Sequence, residues 1–144
     1  MIATAYGPVT IASFAPAGIT NARFLHGHIE DIPLPGGHVD VVISNCVISL
    51  SADKPRVLAE AFRVLRPGGR LGISDVITDD GIDPRQLAEA EHWVGCGGMV
   101  TQQQYRDLLL AAGFTGITIT STHEAGPGLH SAIIQAAKPA GQHA

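Results

Sequence analysis

Residues 39–50 read VDVVISNCVISL, an apolar run that Ser44, Asn45 and Cys46 interrupt before it resumes. Its β-branched content and length predict a strand over Val39 to Ser44, buried on both faces in the manner of a parallel sheet. Open α/β sheets bind their ligands outside the carboxyl ends of the strands. Such a strand delivers Asn45 and Cys46 to that edge, so the rest of the chain must be read for what else arrives there.

Directly downstream, PRVLAEAFRVLRPGG (55–69) predicts a helix. Pro55 suits a first turn, Val57, Leu58, Ala61, Phe62 and Leu65 make one apolar face, and Pro67-Gly68-Gly69 is the expected stop. RLGISDVI (70–77) reads as a second buried strand, so residues 39–77 form a strand, helix, strand crossover of the kind that builds parallel sheets. Asp75 would end that strand at the same edge as Asn45, as a polar group of a site or as a cap on the following loop.

Asp83-Pro84 opens a second helical stretch, RQLAEAEHWVGCGG (85–98), which Gly95 to Gly98 end. Trp93 would line a pocket or anchor this helix. Thr101 and Gln104 have the spacing of a capping box for a helix through Ala112, with Tyr105, Leu108, Leu109 and Ala112 facing the core and Gly113 as terminator. TGITITST (115–122) and HSAIIQAAK (130–138) alternate about a loop at 123–129, as an antiparallel pair does.

Upstream the signals are weaker. Residues 1–16 hold two β-rich runs split by Gly7-Pro8, which permits a hairpin; NARFLHG (21–27) reads as a short strand and HIEDIPLPGGH (28–38) as a loop. Residues 139–144 read as a flexible tail. The fold class expected is α/β: a truncated, Rossmann-like sheet, mostly parallel, with a C-terminal antiparallel strand pair.

At 144 residues the chain is one domain's worth. Its nine Lys and Arg are scattered and the net charge is -4, so no nucleic-acid or membrane footprint is present. No apolar run approaches the roughly 18 residues of a membrane span, and the start lacks the pattern of a signal peptide. A cytoplasmic, reducing setting is expected, in which two cysteines are thiols and too few for a structural zinc site. His26, His28, His38, His92, His123, His130 and His143 have no metal-ligand spacing and read as loop or surface residues.

Taken together, GHIEDIP (27–33), VDVVISNCVISL (39–50), EAFRVLRPGGRLGISDV (60–76) and CGGMVTQQQYRDLLLAAGF (96–114) resemble the second half of a class I S-adenosylmethionine-dependent methyltransferase. Within that superfamily SNCVISLSADK resembles the arsenite methyltransferases. The similarity runs from about Ala17 to Lys138.

That resemblance implies an S-adenosylmethionine cofactor and a small acceptor, arsenite, held by the thiolates of Cys46 and Cys96, which would be both the arsenic ligands and the catalytic pair. It places His28, Ile29 and Glu30 at the adenine pocket and Asn45 near the methionine end of the cofactor. Arsenite is a soft, three-coordinate centre that thiolates suit. With its lone pair free, the arsenic attacks the sulfonium methyl, and the protein's part is to align the two at short range.

The bland alternative for Cys46 is a small buried hydrophobe, and for Cys96 an exposed thiol without a role. Residues 1–38 lack the glycine-rich turn and the acidic strand end of a class I cofactor cradle, and the family's third arsenic-binding cysteine is absent. The expectation is therefore a truncated enzyme, impaired alone, or a noncatalytic remnant that binds arsenite or dimerises. The bare edge of strand 39–44 would be covered by residues 8–14 as a replacement strand, or by a second copy in a homodimer or segment-swapped oligomer.

Overall fold

A computed structural model describes residue 18, residues 20–94 and residues 98–141. The expectations for residues 1–16, for Cys96 and for the side chain of Trp93 lie outside the described residues. Strand β1, Val39–Asn45, pairs in parallel with β2, Leu65–Thr78. The crossover between them holds a single 3-10 turn, Ile48–Leu50, and helix α1, Lys54–Val64.

Local chemistry sets the ends of α1. Asp53 accepts from the Arg56 amide at 3.1 Å and Pro55 sits in the first turn, as the sequence predicts. The helix stops earlier than expected, because Leu65 is already extended (φ -68°, ψ 135°) and Pro67 disfavours a helical Arg66 before it. Lys138 supplies what the last turn lacks: its ammonium donates to the carbonyls of Phe62 (2.8 Å) and Leu65 (2.7 Å) and lies 4.5 Å from the Phe62 ring centre.

Pro67-Gly68-Gly69, expected as a helix stop, is absorbed into the start of β2 instead. Val39 aligns with Leu65 but Val41 aligns with Arg70, so the intervening residues bulge out of register. A Cβ on Gly69 would stand 2.8 Å from the Arg66 carbonyl oxygen, which makes glycine a steric necessity there.

The sheet order is β1-β2-β4-β3, with β3 at Thr115–Gly126 and β4 at Leu129–Ala137. The pairing is parallel at β1-β2 and antiparallel at β2-β4 and β3-β4. The α/β class, the parallel crossover and the terminal antiparallel pair are all present, and the described sheet is mixed. Helix α2 spans Pro84–Val94 and α3 spans Gln102–Ala112. The capping box of α3 is made in full, Thr101 Oγ1 accepting from the Gln104 amide and Gln104 Oε1 from the Thr101 amide, and Gly113 closes it at φ 101°.

Helices α1 and α3 cover one face of the sheet, where Leu58, Val64, Tyr105 and Leu109 pack on Val42, Leu71, Ile73 and Ile134. On the other face Val76 joins a smaller cluster with Leu87 and Ala90 of α2 around Met99 and Leu129. Strand alternation puts Ile43 and Ile133 on that second face, 44% and 40% exposed. Two expectations are corrected here. Strand β1, expected to be buried on both faces, lies at the edge of the described sheet with only Val42 buried. Residues 21–27 form no strand, since the described sheet gives them no neighbour to pair with.

A polar strap fixes the loop at 29–34 to α1. Buried Glu60 accepts from the Ile32 amide (2.8 Å), while Arg63 binds Glu60 and donates to the carbonyls of Ile32 (2.9 Å) and Leu34 (2.8 Å). The Arg63 hydrogen bond holds the Glu60 carboxyl below its ordinary value of 4.5, against the opposing effect of burial. Because the folded state releases this proton more readily, the stabilisation is complete above pH 4.5 and is lost as pH falls through the lowered value. Glu60→Gln is expected to cost about 1.5–3 kcal/mol at pH 7 and to flatten the stability profile below pH 4.5. Denaturant titrations from pH 3 to pH 7 check this, and an unchanged acid limb in the variant contradicts it.

Candidate functional site

The carboxyl end of β1 is built by its ladder with β2. Ser44 aligns with Ile73 and Asn45 with Ser74, and the Cys46 amide extends the ladder by donating to the Ser74 carbonyl at 2.8 Å. Cys46 then takes φ 50°, the one left-handed non-glycine among the described residues. That conformation costs a side chain about 1–2 kcal/mol. It turns the chain sharply out of the sheet into the Ile48–Leu50 turn and leaves Cys46 exposed at the sheet's edge.

Two buried charges meet that turn. Asp75, at 1% exposure, accepts from the Ser49 amide (3.1 Å), its neighbour Val76 (2.9 Å) and the Tyr105 hydroxyl (3.3 Å). Burial raises the Asp75 carboxyl above its usual value, and hydrogen bonds from the Ser49 hydroxyl, the Val76 and Ser49 amides and the Tyr105 hydroxyl oppose the rise. Burial and then the Asp75 charge push the Tyr105 phenol well up. From the other side, buried Lys54 donates to the carbonyls of Ser49 (3.2 Å) and Ser51 (2.9 Å). A Cβ on Gly98 would stand 3.0 Å from the Lys54 ammonium, so the chain two residues beyond Cys96 returns against this turn. Glu91 holds that return through the amides of Gly98 (2.7 Å) and Met99 (3.2 Å).

The remaining candidates flank the same end of β1. His28 is exposed, and its carbonyl accepts from the Asp31 amide at 3.0 Å in a tight turn. Ile29, 8% exposed, turns inward and shares a cavity with Ser44, Ile48 and Val57. The Glu30 carboxylate accepts from the Ser51 hydroxyl, and its carbonyl accepts from Arg56 at 2.9 Å. Asn45 is exposed beside Cys46. Thus Ile29 and Glu30 are brought to the turn that Cys46 opens, and His28 is not.

Lys54 was missed by sequence reasoning, although a signal existed. A cation at a helix N-terminus opposes the helix dipole, so a lysine at the first position of α1 points to a partner outside the helix. Ser49 carried no signal, because its backbone bonds leave no mark in the sequence and a lone serine after a strand is commonplace.

The residues present do not fit S-adenosylmethionine as a complete pocket. The enclosed space beside Ile29 and Ser44 is about 20 Å³, whereas pockets that bury a ligand of that size run to roughly 300–1,000 Å³. A larger open cleft of about 480 Å³ is lined by His38, Val39, Asp40, Val41 and Ile43, and by none of the candidate residues.

The backbone at Cys46 gives a direct test of whether the thiol is there for packing. Cys46→Gly is expected to melt at the wild-type temperature or above it, and Cys46→Val to lose about 1–2 kcal/mol, because a β-branched side chain is worst at this φ. A Cys46→Gly protein destabilised by more than about 1 kcal/mol would assign the side chain a structural role.

Comparison with known proteins agrees with the fold. A family profile described as a methyltransferase domain matches residues 13–113. An arsenite methyltransferase of Aquipseudomonas alcaligenes is 42% identical over 102 residues, 68% of this chain and 30% of that protein. One from Halobacterium salinarum is 36% identical over 134 residues, 83% of this chain and 34% of that protein. The crystal structure of an arsenic (III) S-adenosylmethionine methyltransferase from Chlamydomonas reinhardtii superposes with a TM-score of 0.68 at 29% identity, covering 90% of this chain and 50% of that one. The chain spans about a third of the length of the curated relatives it matches. With the family profile covering most of its length and a methyltransferase α/β sheet beneath it, the chain belongs to the methyltransferase-domain family.

Proposed function

We propose that this chain is an acceptor-binding part of an S-adenosylmethionine-dependent arsenite methyltransferase, in which Cys46 is a thiolate ligand to trivalent arsenic. The observation that carries the reading is the exposed Cys46, held in a left-handed turn at the carboxyl edge of the parallel strand pair. The identity to arsenite methyltransferases supports the same choice of acceptor. Cys96 is the second thiolate of the proposal on sequence grounds. Two thiolates and one oxygen complete a three-coordinate arsenic, and a cytoplasmic, reducing setting keeps both sulfurs available.

In this reading the chain's residues bind and orient the acceptor. When bound, S-adenosylmethionine supplies an electrophilic methyl group. His28, Ile29, Glu30 and Asn45 are proposed as the part of the adenine and methionine wall that this chain provides. The rest of the cofactor's enclosure then comes from outside the described residues or from another chain. A homodimer or segment-swapped pair is the proposed arrangement, through the β1 edge. The opposite edge, β3, carries three register shifts that discourage pairing, whereas β1 has one, at its start. No helix among the described residues is long and apolar enough to cross a membrane.

A second reading is favoured by the small enclosed space: a noncatalytic module that binds arsenite without turnover. Calorimetric titration of the reduced chain separates the two. Saturable S-adenosylmethionine binding followed by arsenite uptake is expected of the enzyme; arsenite uptake alone is expected of the module. Cys46→Ser is expected to weaken arsenite binding by about tenfold or more in either case, about 1.4 kcal/mol or greater. Unchanged arsenite affinity in that variant would exclude both.

A further inference from the structure

The Ser49 peptide lies between two buried charges of opposite sign. Its N–H donates to the Asp75 carboxylate at 3.1 Å and its carbonyl accepts from the Lys54 ammonium at 3.2 Å. Ser49, Lys54 and Asp75 are 4%, 8% and 1% exposed. Both charges reach main-chain groups of one short turn. Charge-assisted bonds of this kind are stronger than neutral ones, and in a dry environment each is costly to leave unmade.

The turn they grip is the one that follows Cys46. Residue 46 is left-handed, Val47 is helical and residues 48–50 form a single 3-10 turn, a path with no regular ladder of its own. Left-handed side-chain residues persist only where the surroundings hold them. The ladder bond from Cys46 to Ser74 fixes the turn's entry, and the grip on Ser49 fixes its exit. Asp75 also receives the Tyr105 hydroxyl from α3, and Lys54 reaches Ser51 and abuts Gly98. The grip therefore ties the thiol-bearing turn to α3 and to the chain that precedes it.

We propose that Lys54 and Asp75 are positioning residues which hold the Ser49 peptide from both sides and so fix where Cys46 stands at the sheet edge. The proposal deepens the arsenite reading for its binding readout, and it makes a prediction about the backbone that stands without that reading. Neither residue touches the acceptor. The Ser49 hydroxyl also hydrogen-bonds the Asp75 carboxyl, so the Ser49 side chain shares in the grip.

The experiment uses the reduced full chain as wild type, Lys54→Met, Asp75→Asn and Leu108→Ala, the last a packing variant of α3. Residue-resolved amide exchange and arsenite titration are measured on each, with melting temperatures to match stability. In the wild type the Ser49 amide is expected to be protected about 100-fold or more, with about tenfold of that lost in Lys54→Met and in Asp75→Asn beyond the loss in Leu108→Ala. Arsenite affinity is expected to fall about tenfold in the two charge variants and to hold within about twofold in Leu108→Ala.

A wild-type Ser49 amide that exchanges like an open loop overturns the proposal without any variant. So do charge variants whose Ser49 protection and arsenite affinity track melting temperature alone. If the wild type binds no arsenite, the arsenite reading fails, and the exchange pattern at Ser49 still decides whether the grip exists.

Discussion

The parallel pairing of β1 with β2 is the constraint on which the other features rest. Two parallel neighbours cannot be joined by a hairpin, so the chain must cross over, and the crossover places α1 on one face. It also sends both strands out of the sheet at the same edge. Cys46 leaves β1 there and Asp75 approaches the end of β2 there, close enough for Asp75 to reach the turn that Cys46 begins. An antiparallel pair would have sent the two residues to opposite ends.

Burial then decides what that edge can hold. On the helix-covered face the core is apolar apart from a few charges, and each of those charges is tied to backbone. Glu60 and Arg63 strap the 29–34 loop to α1, while Asp75 and Lys54 take the two ends of the Ser49 peptide. A removed partner would leave a buried polar group unmet, so these groups specify one path for loops that have little propensity of their own. The opposite sheet face is less covered, with Ile43 and Ile133 partly open among the described residues. That asymmetry makes the helix side the rigid one.

Much of this was legible in the sequence. The β-branched run at 39–44, the apolar stripe of α1, the Thr101/Gln104 capping box and the alternating pair at the C-terminus each encode structure through local chemistry, and each appears where it was read. Pro67-Gly68-Gly69 signalled a break, yet whether a break ends a helix or bulges a strand depends on the register with β1, a nonlocal quantity. NARFLHG carries strand-like residues, but a strand exists through its neighbour and the described sheet offers it none. At the site, Cys46 and Asn45 were readable from their place after a buried run. The Lys54–Ser49–Asp75 arrangement was not, because main-chain bonds leave no pattern in side-chain identity.

The central claim is that a rigidly held Cys46 gives this methyltransferase-family chain a thiol site for trivalent arsenic. The most direct measurement is arsenic K-edge X-ray absorption on the reduced chain loaded with arsenite, compared with Cys46→Ser. The account predicts a first shell dominated by sulfur in the wild type, with one sulfur replaced by oxygen in the variant. A first shell of oxygen alone, or a sulfur shell unchanged by Cys46→Ser, would contradict it.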